Sequence, residues 1–144
     1  MSGHRIHPQL ILTAALMLSG CVFHDYDTPA VEGTLTERGQ PLSNVRVALE
    51  DGGQRQETKT DAQGHFSFPG RGAWKVFIPV GPQDRMNLWS VLIARPSGEI
   101  TAYQEGGLGG PFSGYSRSDS VRLTCDVARA EEINQMAAPG GVCR

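Results

Sequence analysis

The sequence predicts an all-β fold: a seven- to eight-stranded antiparallel β-sandwich closed by a short C-terminal helix. Two observations carry this. From Val31 to Cys125 apolar side chains recur mainly with a period of two, the mark of half-buried strands. Turn signals rich in Gly, Pro, Asp and Asn interrupt these runs about every 8–12 residues, the spacing of sandwich strands. The chain has 144 residues, and without its first twenty it is one domain's worth of polypeptide.

The elements follow in order. Val31, Gly33 and Leu35 share one strand face, and Arg38-Gly39-Gln40-Pro41 turns the chain. Val45, Val47 and Leu49 point inward before Asp51-Gly52-Gly53. The polar stretch 54–60 reads as an edge strand, and Asp61-Ala62-Gln63-Gly64 turns into a strand carrying Phe66 and Phe68 on one face. After Pro69-Gly70 comes a strand with Trp74, Val76 and Ile78, then a loop over 80–86. Leu88 to Ala94 is nearly all apolar, as in a strand covered on both faces. Trp74 and Trp89 are both assigned to the core. A short strand over 100–104 precedes a glycine-rich loop over 105–119, and Val121 to Cys125 alternates again. Asp126 is placed to cap a final helix with Ile133, Met136 and Ala137 on its buried stripe, stopped by Pro139.

Composition excludes some functions. The net charge is −2, and the cations are scattered rather than gathered in a stripe, so the footprint of nucleic-acid binding is missing. No apolar run reaches the roughly 20 residues needed to span a bilayer as a helix.

The N-terminus has its own pattern. Arg5 and two histidines precede the apolar run Leu10 to Met17, which ends on Leu18-Ser19-Gly20-Cys21. This is the organisation of a secretory signal, and it resembles the signal of a bacterial lipoprotein. The resemblance implies that residues 1–20 are a signal peptide and that Cys21 carries acyl chains, palmitate among them. It further implies that Val22, which is not aspartate, sends the protein to the outer membrane, facing the periplasm. Residues 21–29 then form a lipidated tether and 30–144 the sandwich domain. With Cys21 committed to lipid, Cys125 and Cys143 remain, and in an oxidising compartment such a pair forms a disulfide.

A second resemblance lies in the first half. Gly39-Gln40-Pro41-Leu42 is followed by Thr60-Asp61-Ala62-Gln63-Gly64-His65-Phe66 and by Gly72-Ala73-Trp74-Lys75-Val76. These segments resemble the carboxypeptidase regulatory-like domain, a transthyretin-like β-sandwich, over about residues 29–80. The resemblance implies a non-catalytic module. In the turn itself, Thr60 and Asp61 supply side-chain hydrogen bonds, Gly64 takes positive φ and Phe66 fills the core.

Tests for chemistry return little. A Ser-His-Asp arrangement built on Ser67, His65 and Asp61 is conceivable, but a shared strand face does not activate a nucleophile. No metal-ligand spacing and no cofactor motif is present. The glycine-rich loop lacks the lysine and hydroxyl of a phosphate-binding loop. Its Leu108, Phe112 and Tyr115 are instead candidate partner-binding residues, because aromatics anchor interfaces. The expected function is a lipid-anchored, non-catalytic binding or structural module whose partner is another envelope protein. The alternatives are an immunity protein or a secretion-system accessory lipoprotein and, from a different class, a periplasmic hydrolase.

Overall fold

The computed structural model describes residues 22–130 and 141–144. Cys21, the signal segment and positions 133, 136 and 137 of the expected helix lie outside the described residues. The described elements are all strands and the fold is all-β; Arg129 and Ala130, the last described residues before position 131, are helical.

The strands are β1 (Val22–Thr28), β2 (Ala30–Glu37), β3 (Gln40–Pro41), β4 (Arg46–Asp51), β5 (Gln54–Lys59), β6 (His65–Phe68), β7 (Arg71–Val76), β8 (Arg85–Arg95), β9 (Gly98–Gly109) and β10 (Ser120–Asp126). One sheet runs β5-β4-β8-β9. A second has β2 at its centre, with β10 on one side and β3 and β6 on the other. The ladder of β2 with β6 is continued, past Pro29 on one side and Pro69-Gly70 on the other, by a two-stranded ribbon of β1 and β7. The glycine at 70 permits that crossing, since a Cβ there would stand 3.2 Å from both the Ala30 nitrogen and the Thr28 oxygen.

The core joins the two four-stranded sheets. Val31, Leu35, Phe66, Phe68 and Leu123 come from one sheet, and Val47, Leu49, Trp89, Val91 and Ile93 from the other. Their alternation along each strand is the pattern that predicted the strands. The Asp61 turn has the expected construction. Asp61 Oδ1 accepts the N–H groups of Gln63 and His65, both at 2.9 Å, and these hold its carboxyl below the usual carboxylate range. Thr60 Oγ1 accepts the Val45 N–H at 3.0 Å. Gly64 has φ of 78°, and a Cβ there would lie 2.3 Å from the Leu35 carbonyl oxygen. Strain of that kind costs about 1–3 kcal/mol. Gly64→Ala should therefore lower the unfolding free energy by about 2 kcal/mol in urea denaturation, and an unchanged midpoint would refute this account of the turn.

The structure corrects several expectations. Residues 22–28, read as a tether, form β1 and pair with β7 from Val22 onward. The pairing of β10 with β2 is parallel, not antiparallel. Parallel neighbours need a long connection, which the intervening strands supply. The first third of the loop expected over 105–119 is the end of β9, which pairs with β8 as far as Gly109. Trp89 is fully buried, but Trp74 is 73% exposed and is not a core residue. Cys125 and Cys143 form the disulfide.

Candidate functional site

Two features stand out where the β1–β7 ribbon meets the β5-β4-β8-β9 sheet: a charged seam between the layers and an apolar rim around it. Successive residues of a strand alternate between the two sides of a ribbon, and facing residues share a side. On the inner side of β1 this places Phe23, Asp25 and Asp27, and on the inner side of β7 it places Lys75. The space beneath is consequently ionic rather than oily. Arg85 of β8 donates to both Asp25 and Asp27. Lys75 Nζ donates to Asp27 Oδ1 at 2.5 Å, and Arg71 donates to Asp51 of β4.

The seam is well covered. Only 8% of the Asp25 side chain and 18% of Arg85 reach solvent. Burial alone would raise the Asp27 carboxyl, but the hydrogen bond and charge of Lys75, with Arg85, outweigh it and hold the group below its ordinary range. Asp51 goes the other way. Burial raises it more than Arg71 lowers it, and its Oδ2 has no hydrogen-bond partner.

The segment 110–119 closes the seam from the side. Tyr115 exchanges backbone hydrogen bonds with Tyr26 at 2.9 and 3.3 Å. Gly114 is required there, because a Cβ would fall 2.0 Å from an Asp25 carboxylate oxygen. Asn87 Nδ2 donates to the Ser113 carbonyl at 2.9 Å.

The three candidate partner-binding residues therefore have different surroundings. Tyr115 is tied inside: its hydroxyl accepts from Trp89 Nε1 at 2.8 Å and donates to Glu105 at 3.4 Å. Phe112 is 62% exposed and leans on Phe23 and Phe77, with ring centroids at 4.8 and 5.0 Å. Leu108 is 76% exposed and sits opposite Met86 across the β8–β9 ladder.

Tyr103 completes a hydrogen-bonded row with Tyr115, donating to Glu105 at 2.6 Å. That bond, then burial and the Glu105 charge, push its hydroxyl up to about 12, from an ordinary value of about 10. The shift favours the neutral phenol in the fold. Its contribution to stability is full below pH ~10 and is lost as the pH rises through the raised value. Glu105→Gln should move this tyrosinate absorbance step back toward pH ~10; a step that stays put would exclude Glu105 as its cause.

Every large apolar side chain that is left exposed lies at this one end of the sandwich, among the described residues. Val22, Trp74 and Val76 are on the outer side of the ribbon, and Ile78 and Val80 are in the segment after it. Met86, Leu88 and Leu108 are on the outer face of the other sheet, and Phe112 bridges the rim. Of this set, sequence reasoning named Leu108 and Phe112; it missed the ribbon residues and Met86, and it placed Leu88 in a strand covered on both faces, whereas Leu88 is exposed on the outer face. The set lies on the outer sides of both layers around one end, and such a gathering of exposed apolar side chains makes this pole the best candidate contact surface.

The residues weighed for catalysis are elsewhere. A shallow groove of about 540 Å³ on the outer face of the β2 sheet is lined by His65, Ser67, Asp61, Lys59 and Arg122 among others. His65 Nδ1 stands 3.8 Å from Asp61 Oδ2, beyond hydrogen-bond distance. Among the described residues no group of three or more His, Cys, Asp or Glu side chains is arranged to hold a metal ion.

The model of a protein family described as a domain of unknown function, DUF6795, matches residues 31–130. The chain belongs to the DUF6795 family. No curated protein matches it. The matched DUF6795 span runs from β2 to the residues just beyond β10, so β1 lies outside it, although the partners of β1 in the seam, Lys75 and Arg85, lie within.

Proposed function

We propose that this DUF6795 chain is a lipid-anchored, non-catalytic β-sandwich of the bacterial outer membrane, working as a structural or protein-binding module on the periplasmic side. The observation that carries the reading is the gathering of exposed apolar side chains at the pole where Val22, the neighbour of Cys21, enters the fold. A contact surface beside a lipidation motif suits a module that acts by position. The titratable groups of the seam are engaged with one another in ion pairs, which suits a cement between layers better than a reaction centre. Within the sandwich class, the Thr60-Asp61-x-x-Gly64-x-Phe66 turn supports a transthyretin-like arrangement of the carboxypeptidase regulatory-like type.

The test is metabolic labelling of the full chain with a clickable palmitate analogue in a bacterium with two membranes. Label should appear on the wild type in the outer-membrane fraction. Cys21→Ser should lose it and leave the membrane. Label that persists in Cys21→Ser, or a wild type without label, would overturn the anchoring reading.

A further inference from the structure

We propose that the apolar pole is a membrane-contact surface, seated in the interfacial region of the same bilayer that holds the Cys21 lipid. The proposal rests on the anchoring reading above and adds an orientation to it.

Val22 is already paired with Val76, and consecutive Cα atoms are only about 3.8 Å apart. A lipid on Cys21 therefore has no linker: the residue it modifies abuts the first ladder pair. Whatever surface surrounds that pair lies at the level of the headgroups. A protein partner inserted between this pole and the bilayer would have to fit into the thickness of about one residue.

Strand direction decides which surface that is. β1 enters at this pole and β7 leaves there. Arg85, the first residue of β8, reaches Asp25 and Asp27 near it, and β9 ends at Gly109 opposite Arg85. Both layers present apolar side chains at that level: Val22, Trp74 and Val76 from one, Met86 and Leu108 from the other. An amphipathic tryptophan suits the bilayer interface, where its ring meets acyl chains and its N–H meets water or headgroups. Asp25, Asp27, Lys75 and Arg85 are turned inward and paired, so they need not be desolvated when the rim settles, and the exposed carboxylate of Asp84 beside them would stay at the headgroup level in contact with water. The opposite end is made of polar turns such as Asp61–Gly64 and Pro96–Gly98. That end projects into the periplasm and is the part free to meet a protein.

Two tryptophans make the test direct. Trp89 is fully buried and Trp74 is exposed. The full lipidated chain is reconstituted in phosphatidylethanolamine–phosphatidylglycerol vesicles, with and without bromine on the upper acyl carbons, and tryptophan emission is compared. Brominated lipid should remove most of the Trp74 emission, and Trp74→Phe should abolish the quenchable component. In the Trp74→Phe background, a Met86→Trp reporter should restore quenching and a Gln63→Trp reporter at the far end should not. The mass of the N-terminal peptide is read on the same sample. Lipid present with Trp74 emission unquenched would overturn the orientation and leave the anchor standing. Quenching of the reporter at 63 but not at 86 would overturn it too. Cys21 without lipid would overturn the anchoring reading, and this proposal with it.

Discussion

Arg85→Met should destabilise the fold by about 3–5 kcal/mol, the range for removing one partner of a buried ion pair. The arginine answers two carboxylates at once, Asp25 and Asp27. Methionine fills a similar volume but leaves the Asp25 charge with Lys75 Nζ at 3.9 Å and the Tyr26 N–H at 3.0 Å. Lys75 remains 2.5 Å from Asp27, so most of the loss arises at Asp25. Urea denaturation at neutral pH reads the effect. A double variant, Asp25→Leu with Arg85→Met, removes both charges and should recover much of the loss, because replacing a buried pair by apolar groups is often neutral. A single variant as stable as wild type would show that the seam is solvated and contributes little.

Acid gives an independent reading. The Asp27 carboxyl is held low in the fold, the net result of burial opposed by Lys75 and Arg85. Its stabilisation is present above the ordinary carboxylate value of about 3.9 and is lost as the pH falls through the lower folded value. Protonation also discharges Asp27 in the variant, where it has lost its arginine. The stability gap between wild type and variant should therefore narrow below pH ~4.

The same seam explains where the sequence was legible and where it was not. Val31, Val47, Phe66, Val91 and Leu123 were readable because their strands bury an apolar face, so period-two alternation points to the core. In the ribbon the sense of the pattern is inverted. Asp25, Asp27 and Lys75 face the other sheet, while Val22, Trp74 and Val76 face outward. A reading that sends polar residues to solvent therefore turns β1 into a tether and Trp74 into a core residue. Both errors have this one cause. Only the partners 48–60 residues away in sequence make the inversion affordable, and local pattern cannot see them.

The candidate site was legible in part. Aromatic and aliphatic residues among glycines marked 105–119 as a place for contact, and Leu108 and Phe112 do lie on the exposed pole. Tyr115 does not, because its hydroxyl is engaged by Trp89 and Glu105. A signal for the other half of the pole was available: Trp74, Val76, Ile78 and Val80 are spaced by two, as for one strand face. Their being exposed together depends on the seam.

Replacing both Cys125 and Cys143 by alanine should cost about 3 kcal/mol, the value expected when a cross-link between residues 18 apart is removed. The tail it releases is a clamp between the sheets. Arg144 exchanges backbone hydrogen bonds with Thr124 of β10 at 2.9 and 3.1 Å, and the Cys143 N–H donates to Ala102 of β9 at 2.9 Å. Gly141 permits this approach, with φ of 62° and room for no Cβ beside the Ala102 oxygen. Val142 and Cys143 are buried members of the core, so the tail adds apolar contact as well as cross-linking. In urea the double variant should show a lower midpoint and a steeper slope, because a denatured chain without the cross-link exposes more surface. A lower midpoint with an unchanged slope would place the effect in the native clamp instead. An unchanged midpoint would mean that the hydrogen bonds to Thr124 and Ala102 hold the tail without help from the disulfide.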